Sequence, residues 1–350
     1  MKDQLLVAGS GALNLDLIYE VDSLHGLSAG GLSLEPGREL KGARADALDL
    51  MEQLERQGRL VAREGGGSCA NTLTILARLG RRAGIRCAFI GSAGSDEEGN
   101  MILGSMEGVD TSGVVRRGRS SICIVVLDRK TRDRAMFVSP GDTVLDVDSP
   151  KVRGIMEDAS LFHFSSLAVD QGVQMQLGLL DLAGPETLIS SDPGEIYAGR
   201  GLASVGSLLA RCHLLFVTDF EADMLFGKGA KMSRILGLLN ARSGSGPLWK
   251  RISLAPPVLV KKSGSRGAGL ASRSQELFMP AGRVEHVVDN TGAGDAFDAG
   301  FLMGFILGCS AGQCLEMGHM VAAESLTGYG RQWFSRLDAL YEKIEKRGLS

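Results

Sequence analysis

The sequence predicts an α/β fold, with a mostly parallel central sheet flanked by helices, and three patterns carry that prediction. Short apolar, β-rich runs recur along the chain, runs with helical spacing lie between most of them, and glycine clusters mark the joins. A chain of 350 residues, 44% hydrophobic, is long enough for one large domain of this class or two modest ones. Its 48 glycines are about twice average usage and show no period. They sit in short loops, where they suit tight turns and close backbone approach to a ligand.

In chain order the strands read as 5–8, 86–90, 121–127, 161–164, 187–190, 214–218 and 257–261. Near-continuous apolar runs of this kind are what strands buried on both faces need. Segment 71–79 places Leu73, Ile75, Leu76 and Leu79 on one helical face, and 175–182 and 203–209 behave alike. Two regions break the rhythm. Residues 18–63 have a Gly/Ser/Pro-rich start and then a helical run, 45–57. In 120–138, Ile122, Ile124 and Val126 alternate with Cys123, Val125 and Leu127, a charged turn 128–133 follows, and 134–138 returns, which reads as a β-hairpin. The expectation is a single domain over 1–350 in which 18–63 and 120–138 form a small β-rich lid. An ordinary edge hairpin would have the same pattern.

Composition excludes several classes. Net charge is −3, from 38 Lys+Arg against 41 Asp+Glu, and the arginines of 116–119 and 129–134 are short runs mixed with Asp128 and Asp133, so no basic stripe for nucleic acid exists. The six cysteines form no Cys-x-x-Cys pair and mostly sit in apolar runs, which favours a reducing compartment. Five histidines make no zinc pattern. Asp3 precedes the first apolar run, and Asn14 and Asp16 follow it, so it reads as a strand and not as a signal peptide. The apolar stretch 299–309 is far short of a membrane span. A cytoplasmic protein is the expectation.

The chemistry concentrates near 289–307. Val287 and Val288 read as the end of a short strand, Asp289 to Asp295 as a glycine-rich loop, and 296–307 as a helix. Gly292, Ala293 and Gly294 would leave backbone N–H groups uncovered at a helix N-terminus, a site for the charge that builds on a transferring phosphoryl group. Asp295, in the first turn, suits two roles equally on this evidence: a partner of the helix dipole, or a base that accepts the proton of an attacking hydroxyl. No P-loop motif occurs, nor a dinucleotide Gly-x-Gly-x-x-Gly after a strand.

The run Asp289-Asn290-Thr291-Gly292-Ala293-Gly294-Asp295-Ala296-Phe297, with Gly300-Phe301 beyond, resembles the C-terminal signature of the ribokinase/PfkB carbohydrate-kinase family. Gly66-Gly67-Ser68-Cys69-Ala70-Asn71 resembles that family's N-terminal glycine pair with the Asn that opens a helix. Gly9-Ser10-Gly11-Ala12-Leu13-Asn14-Leu15-Asp16 is similar to its first strand and substrate Asp. The resemblance runs from about Leu5 to Gly330. It implies a ribokinase-like three-layer fold and an ATP-dependent kinase acting on a hydroxymethyl group of a small sugar or sugar derivative. Asp295 would be the base, and Gly292, Ala293 and Gly294 the anion hole. Asn14, Asp16, Gly66, Gly67 and Asn71 would hold the substrate, although Asp16 also suits a turn and Asn71 a helix N-cap.

On the nucleotide side, Lys262, Ser263, Gly264 and Gly267 resemble the family's ATP loop. His319 falls where an adenine-contacting residue stands, and it equally suits a core histidine. The family's Asn-x-x-Glu motif, tied to Mg2+ and phosphate, appears as Thr218-Asp219-Phe220-Glu221. Glu221 is therefore the implied Mg2+ residue, acting through water, and Asp289 and Thr291 match a monovalent-cation site in some members. The implied cofactors are ATP and Mg2+, with K+ an open third. The long 18–63 insertion and Gly318-His319 with Ala322-Ala323-Glu324 resemble the adenosine-kinase branch, but the lid holds few aromatics, essentially Tyr19 and Phe137, for stacking a purine. A sugar is thus read first and adenosine or another nucleoside second. A non-catalytic nucleotide- or sugar-binding regulator is the alternative of another class, to which Thr218 alone points. Lid strands that pair between subunits would make a homodimer. Gly300, Gly304 and Gly308 read as close helix packing against the sheet.

Overall fold

The computed structural model of the chain describes residues 4–131 and 133–349. Asp3 of the N-terminal segment and Arg132 of the hairpin turn lie outside the described residues. A nine-stranded sheet runs in the spatial order Glu276–Met279, Ala268–Ala271, Val258–Lys262, Leu214–Thr218, Leu188–Asp192, Leu161–Ser165, Leu5–Ser10, Ile85–Ala93, Val109–Arg116. Ala268–Ala271 pairs antiparallel with both of its neighbours, Val258–Lys262 and Glu276–Met279, and the remaining neighbours pair parallel. Strands buried on both faces explain the unbroken apolar runs. Along Leu5–Ser10, Leu5 and Val7 join one core while Leu6 and Ala8 join the other; Leu214 and Phe216 divide from Leu215 and Val217 in the same way. Helices Ser68–Leu79, Ala293–Leu307, Ala311–Ser325 and Leu337–Lys346 cover the first face, and Pro150–Asp158, Gly172–Asp181 and Leu202–Leu209 the second.

A second, five-stranded sheet has the order Glu39–Lys41, Arg134–Ser139, Ser121–Asp128, Asn14–Val21, Gly58–Gly66. The expected hairpin is its Ser121–Asp128/Arg134–Ser139 pair. Helix Arg44–Gln57 packs Ala47, Leu50 and Leu54 onto it. The first segment of the small sheet begins earlier than residue 18, because Asn14–Val21 is its fully paired strand next to the centre, and that segment ends at Gly66. Asn14 and Asp16 therefore belong to the small sheet and not to the first strand of the large one.

Two further expectations are corrected. Val287 and Val288 form no strand: Val288 N–H bonds to Leu326 O past the end of a helix, and its side chain is exposed. The helix after the glycine loop starts at Ala293, three residues early. The glycines of that helix pack against the next helix and not the sheet. A Cβ on Gly300 would come within 2.5 Å of Met317 O, and one on Gly304 within 2.9 Å of Met317 Sδ, while Gly308 ends the helix at φ +81°.

Candidate active site

The site forms where the strand Asn14–Val21 and the start of the Ser68–Leu79 helix meet the N-terminus of the Ala293–Leu307 helix. Gly67 makes the corner before the first helix at φ +113°, and a Cβ there would overlap Ala12 O. Gly292 caps the second in the left-handed region at φ +73°. A side chain would be strained at either position. Gly294 and Asp295 N–H groups have no carbonyl acceptor among the described residues, whereas Ala293 N–H makes a 3.4 Å bond to Asn290 O.

Asp295 lies at the junction. Ser68 Oγ donates to its Oδ1 at 2.7 Å and Asn71 Nδ2 to its Oδ2 at 2.8 Å, so residues from the far helix hold both oxygens. Thr72 Oγ1 donates to its backbone carbonyl at 3.3 Å. Burial raises its carboxyl above the ordinary value, against the two hydrogen bonds that lower it. Each oxygen keeps a lone pair that can accept from a substrate hydroxyl.

Asp16 shares a cavity with Glu64, Asn71, Thr291, Gly292 and Arg331. Gly66 presses on it so closely that a Cβ would overlap the Asp16 carboxylate. Burial pushes the Asp16 carboxyl well above its usual range, and Arg331 only partly offsets this. Its Oδ1 is buried without a partner, as is Asn14 Oδ1. Trp333 and Phe334 close the far wall. The cavity is about 20 Å3, room for one water and not for a sugar.

Lys262 ends the strand Val258–Lys262 with its side chain in the interior. Its Nζ donates to Asp192 Oδ2 at 2.7 Å and to Asp298 Oδ1 at 3.1 Å, all three side chains buried. Burial pulls its ammonium down, but Asp192, Asp298 and Glu221 outweigh that and raise it. It lies beside Gly294, 3.3 Å from where a Cβ of that residue would be. Ser263, Gly264 and Gly267 form the tight turn after the Lys262 strand, closed by Ser263 N–H to Gly267 O at 2.8 Å. His319 packs edge-on against Phe297 at 5.3 Å, with Nε2 buried and unpartnered and burial lowering its basicity.

Glu221 and Thr218 form a reciprocal helix cap. Thr218 N–H donates to Glu221 Oε2 at 2.7 Å, and Glu221 N–H to Thr218 Oγ1 at 3.2 Å. Burial pushes the Glu221 carboxyl up to about 7. Among the described residues no group of three or more His, Cys, Asp or Glu side chains could hold a metal. A single carboxylate does fit Mg2+, which keeps most of its waters. Asp289 commits both oxygens to backbone, accepting from Thr291 N–H at 2.7 Å and from Gly330 N–H at 2.9 Å, which ties the glycine loop to the segment after helix Ala311–Ser325. This arrangement lends potassium no support.

The sequence reading gave no role to Ser68, Asp192, Asp298, Glu64 or Arg331. Ser68 lies inside a quoted motif and was the one within reach; the others come from positions outside every motif.

A glycine-loop helix start that carries a half-buried carboxylate, faced by a Gly-Gly-x-x-x-Asn helix start, prompts comparison with known proteins. The family model described as pfkB family carbohydrate kinase matches residues 44–335. The chain belongs to the PfkB carbohydrate-kinase family. The matched span holds Asn71, Lys262 and Asp295, and leaves Asn14 and Asp16 before its start. The kinase is 32% identical over 258 residues to an uncharacterized sugar kinase of Archaeoglobus fulgidus, covering 71% of this chain and 94% of that one. It is 24% identical over 275 residues to an ATP-dependent 6-phosphofructokinase of Thermoanaerobacterium thermosaccharolyticum, covering 76% and 80%. The adenosine kinase of Sinorhizobium meliloti has the same fold, with TM-score 0.75 at 19% identity over 98% and 99% of the two chains. As a family member the kinase is an ATP-dependent phosphotransferase of the sugar and nucleoside class. No helix among the described residues is long and apolar enough to cross a membrane.

Proposed function

We propose that this kinase transfers the γ-phosphoryl group of ATP to a hydroxymethyl group of a small sugar or sugar derivative, with Asp295 as base. The observation that carries the reading is the Asp295 carboxylate, half-buried, oriented at both oxygens, and set beside backbone N–H groups that lack acceptors. Asp16 and Asn14, each with an unpartnered oxygen, hold substrate hydroxyls. Asp295 accepts the proton of the attacking hydroxyl; its raised carboxyl makes it a better acceptor than a free aspartate. The N–H groups of Gly294 and Asp295, with Lys262 beneath, stabilise charge on the phosphoryl oxygens. Bound ATP supplies the phosphoryl group, and Ser263, Gly264, Gly267 and His319 are the residues to hold it. Glu221 is the residue to hold Mg2+ through water.

The chain acts as a single domain, with the small sheet of 14–66 and 121–139 as a lid. On this reading the lid opens to admit a sugar, which a cavity of about 20 Å3 does not hold, and closes on it to exclude water from the reaction. The nucleoside reading is the second one, favoured by Trp333 and Phe334 beside the cavity, an aromatic pair from beyond the lid. A regulator without turnover is the reading of another class; Thr218, the residue that points to it, serves as a helix cap.

An ATP-consumption screen with Mg2+, with and without K+, tests the reading across ribose, fructose, fructose phosphates, ketodeoxygluconate, adenosine, inosine and cytidine. A rate that depends on one acceptor and vanishes in Asp295→Asn supports it. No acceptor-dependent rate across the panel would overturn it.

A further inference from the structure

Two opposite charges face each other in the substrate cavity without meeting. Arg331 is clamped on one side: its Nε donates to Asn71 Oδ1 at 2.9 Å, and its Nη1 donates to Ser105 Oγ at 2.7 Å and Ser105 O at 3.0 Å. Its backbone N–H donates to Glu64 Oε1, and its guanidinium lies 5.6 Å from the Phe334 ring centroid. That leaves Nη2, buried and without a partner among the described residues. Asp16 Oδ1 is in the same condition, and both residues line one cavity. No ion pair joins them. Two unsatisfied buried polar atoms around one small space are costly unless something else satisfies them.

We infer that Arg331 determines acceptor specificity: its Nη2 donates to a substrate hydroxyl that in turn donates to Asp16 Oδ1, so this end of the pocket takes an uncharged hydroxyl and turns away a sugar phosphorylated there. A hydroxyl is both donor and acceptor, and so matches a guanidinium N–H on one side and a carboxylate on the other. A phosphate is acceptor only. It would be drawn to Arg331, the one cation among the residues lining the cavity, but pressed against Asp16 and Glu64, with Asp295 close behind Asn71. A cross-strand neighbour at the same register, Glu64 keeps its carboxyl beside Asp16 whatever the lid does. The inference rests on the kinase reading and narrows it to neutral polyols.

The test compares acceptors in the wild-type kinase first, which needs no variant. Each neutral sugar is set against its phosphorylated form, fructose against fructose 6-phosphate among them, with ATP consumption as the readout. The neutral form is expected to be preferred at least about 10²-fold in kcat/KM. Single-deoxy analogues of the best acceptor then locate the hydroxyl, whose removal lowers kcat/KM by about 10²-fold or more in wild type. In Arg331→Met the intact acceptor loses about as much through KM, the ATP requirement stays unchanged, and the same deoxy substitution costs less than about 3-fold, because the partner is already gone. Arg331→Lys, with a melting curve for each variant, separates loss of the contact from loss of the fold. Preference for the phosphorylated sugar, or deoxy and Arg331→Met losses that multiply independently, would overturn the inference and leave the kinase standing. Absence of turnover with every acceptor would overturn both.

Discussion

As the proposed base, Asp295 is held between two opposing influences. Two hydrogen bonds fix its orientation and hold its basicity down, while burial raises it. Asp295→Asn keeps the hydrogen-bonding shape and removes proton acceptance, so turnover should fall by about 10²–10⁴-fold while calorimetric binding of acceptor and ATP persists. Ser68→Ala removes one of the bonds that favour the charged form, so the Asp295 carboxyl rises further. The acid limb of the kcat/KM–pH profile should then move to higher pH, a displacement read directly from the profile; an unmoved limb would show that another group sets it. That Asp295, Asp16 and Asn71 come together was legible in the sequence, because each lies in a motif whose glycines betray a backbone constraint. Arg331 was not. It follows a helix in an irregular stretch, and nothing in Gly330-Arg331-Gln332 tells which way the side chain turns. Its part depends on contacts with Ser105 and Asn71, more than 200 residues away in sequence.

At the scale of elements, the loss of the family's Asn at position 218 has a local answer. Thr218 and Glu221 cap the helix Asp219–Phe226 reciprocally. Thr218→Ala should cost about 1 kcal/mol in chemical denaturation, within the roughly 0.5–2 kcal/mol range for lost caps, and Thr218→Asn should cost little. The Lys262 network joins strand Leu188–Asp192, strand Val258–Lys262 and helix Ala293–Leu307 through buried charges. Lys262→Met leaves Asp192 and Asp298 uncompensated, and a loss of about 3–5 kcal/mol is expected. A variant as stable as wild type would mean that the carboxyls take up protons freely there. The strands the sequence announced are those buried on both faces. Val109–Arg116, Ala268–Ala271 and Glu276–Met279 went unread because they lie toward the sheet edges, where polar residues, glycine or brevity blur the pattern. The small sheet's start was missed for a related reason: Asn14 and Asp16 look like a loop, and only pairing with Gly58–Gly66 and Ser121–Asp128 makes them a strand.

Over the whole molecule, the site gathers carboxyls that burial pushes upward. Glu39, Glu64 and Glu221 each rise from 4.5 to about 7. A carboxyl raised by folding binds its proton more tightly in the folded chain than in the unfolded one. Its contribution is therefore fully present below about pH 4.5 and is lost as pH climbs through about 7. The kinase should melt at lower temperature at pH 8 than at pH 5.5, and Glu64→Gln, which still accepts from Arg331 N–H, should flatten that slope. A slope unchanged in Glu64→Gln would remove Glu64 from the account.

The strand order carries a consequence for how the chain is made. From Leu5–Ser10 outward on one side, the large sheet adds Leu161–Ser165, Leu188–Asp192, Leu214–Thr218, Val258–Lys262, Ala268–Ala271 and Glu276–Met279, which is also the order of synthesis. Every strand of that side leaves the ribosome to find its neighbour's edge already waiting, while the small sheet is complete once Ser139 has emerged. Asp295, the proposed base, and Arg331 arrive last, so the nascent chain is a scaffold well before its candidate site is complete.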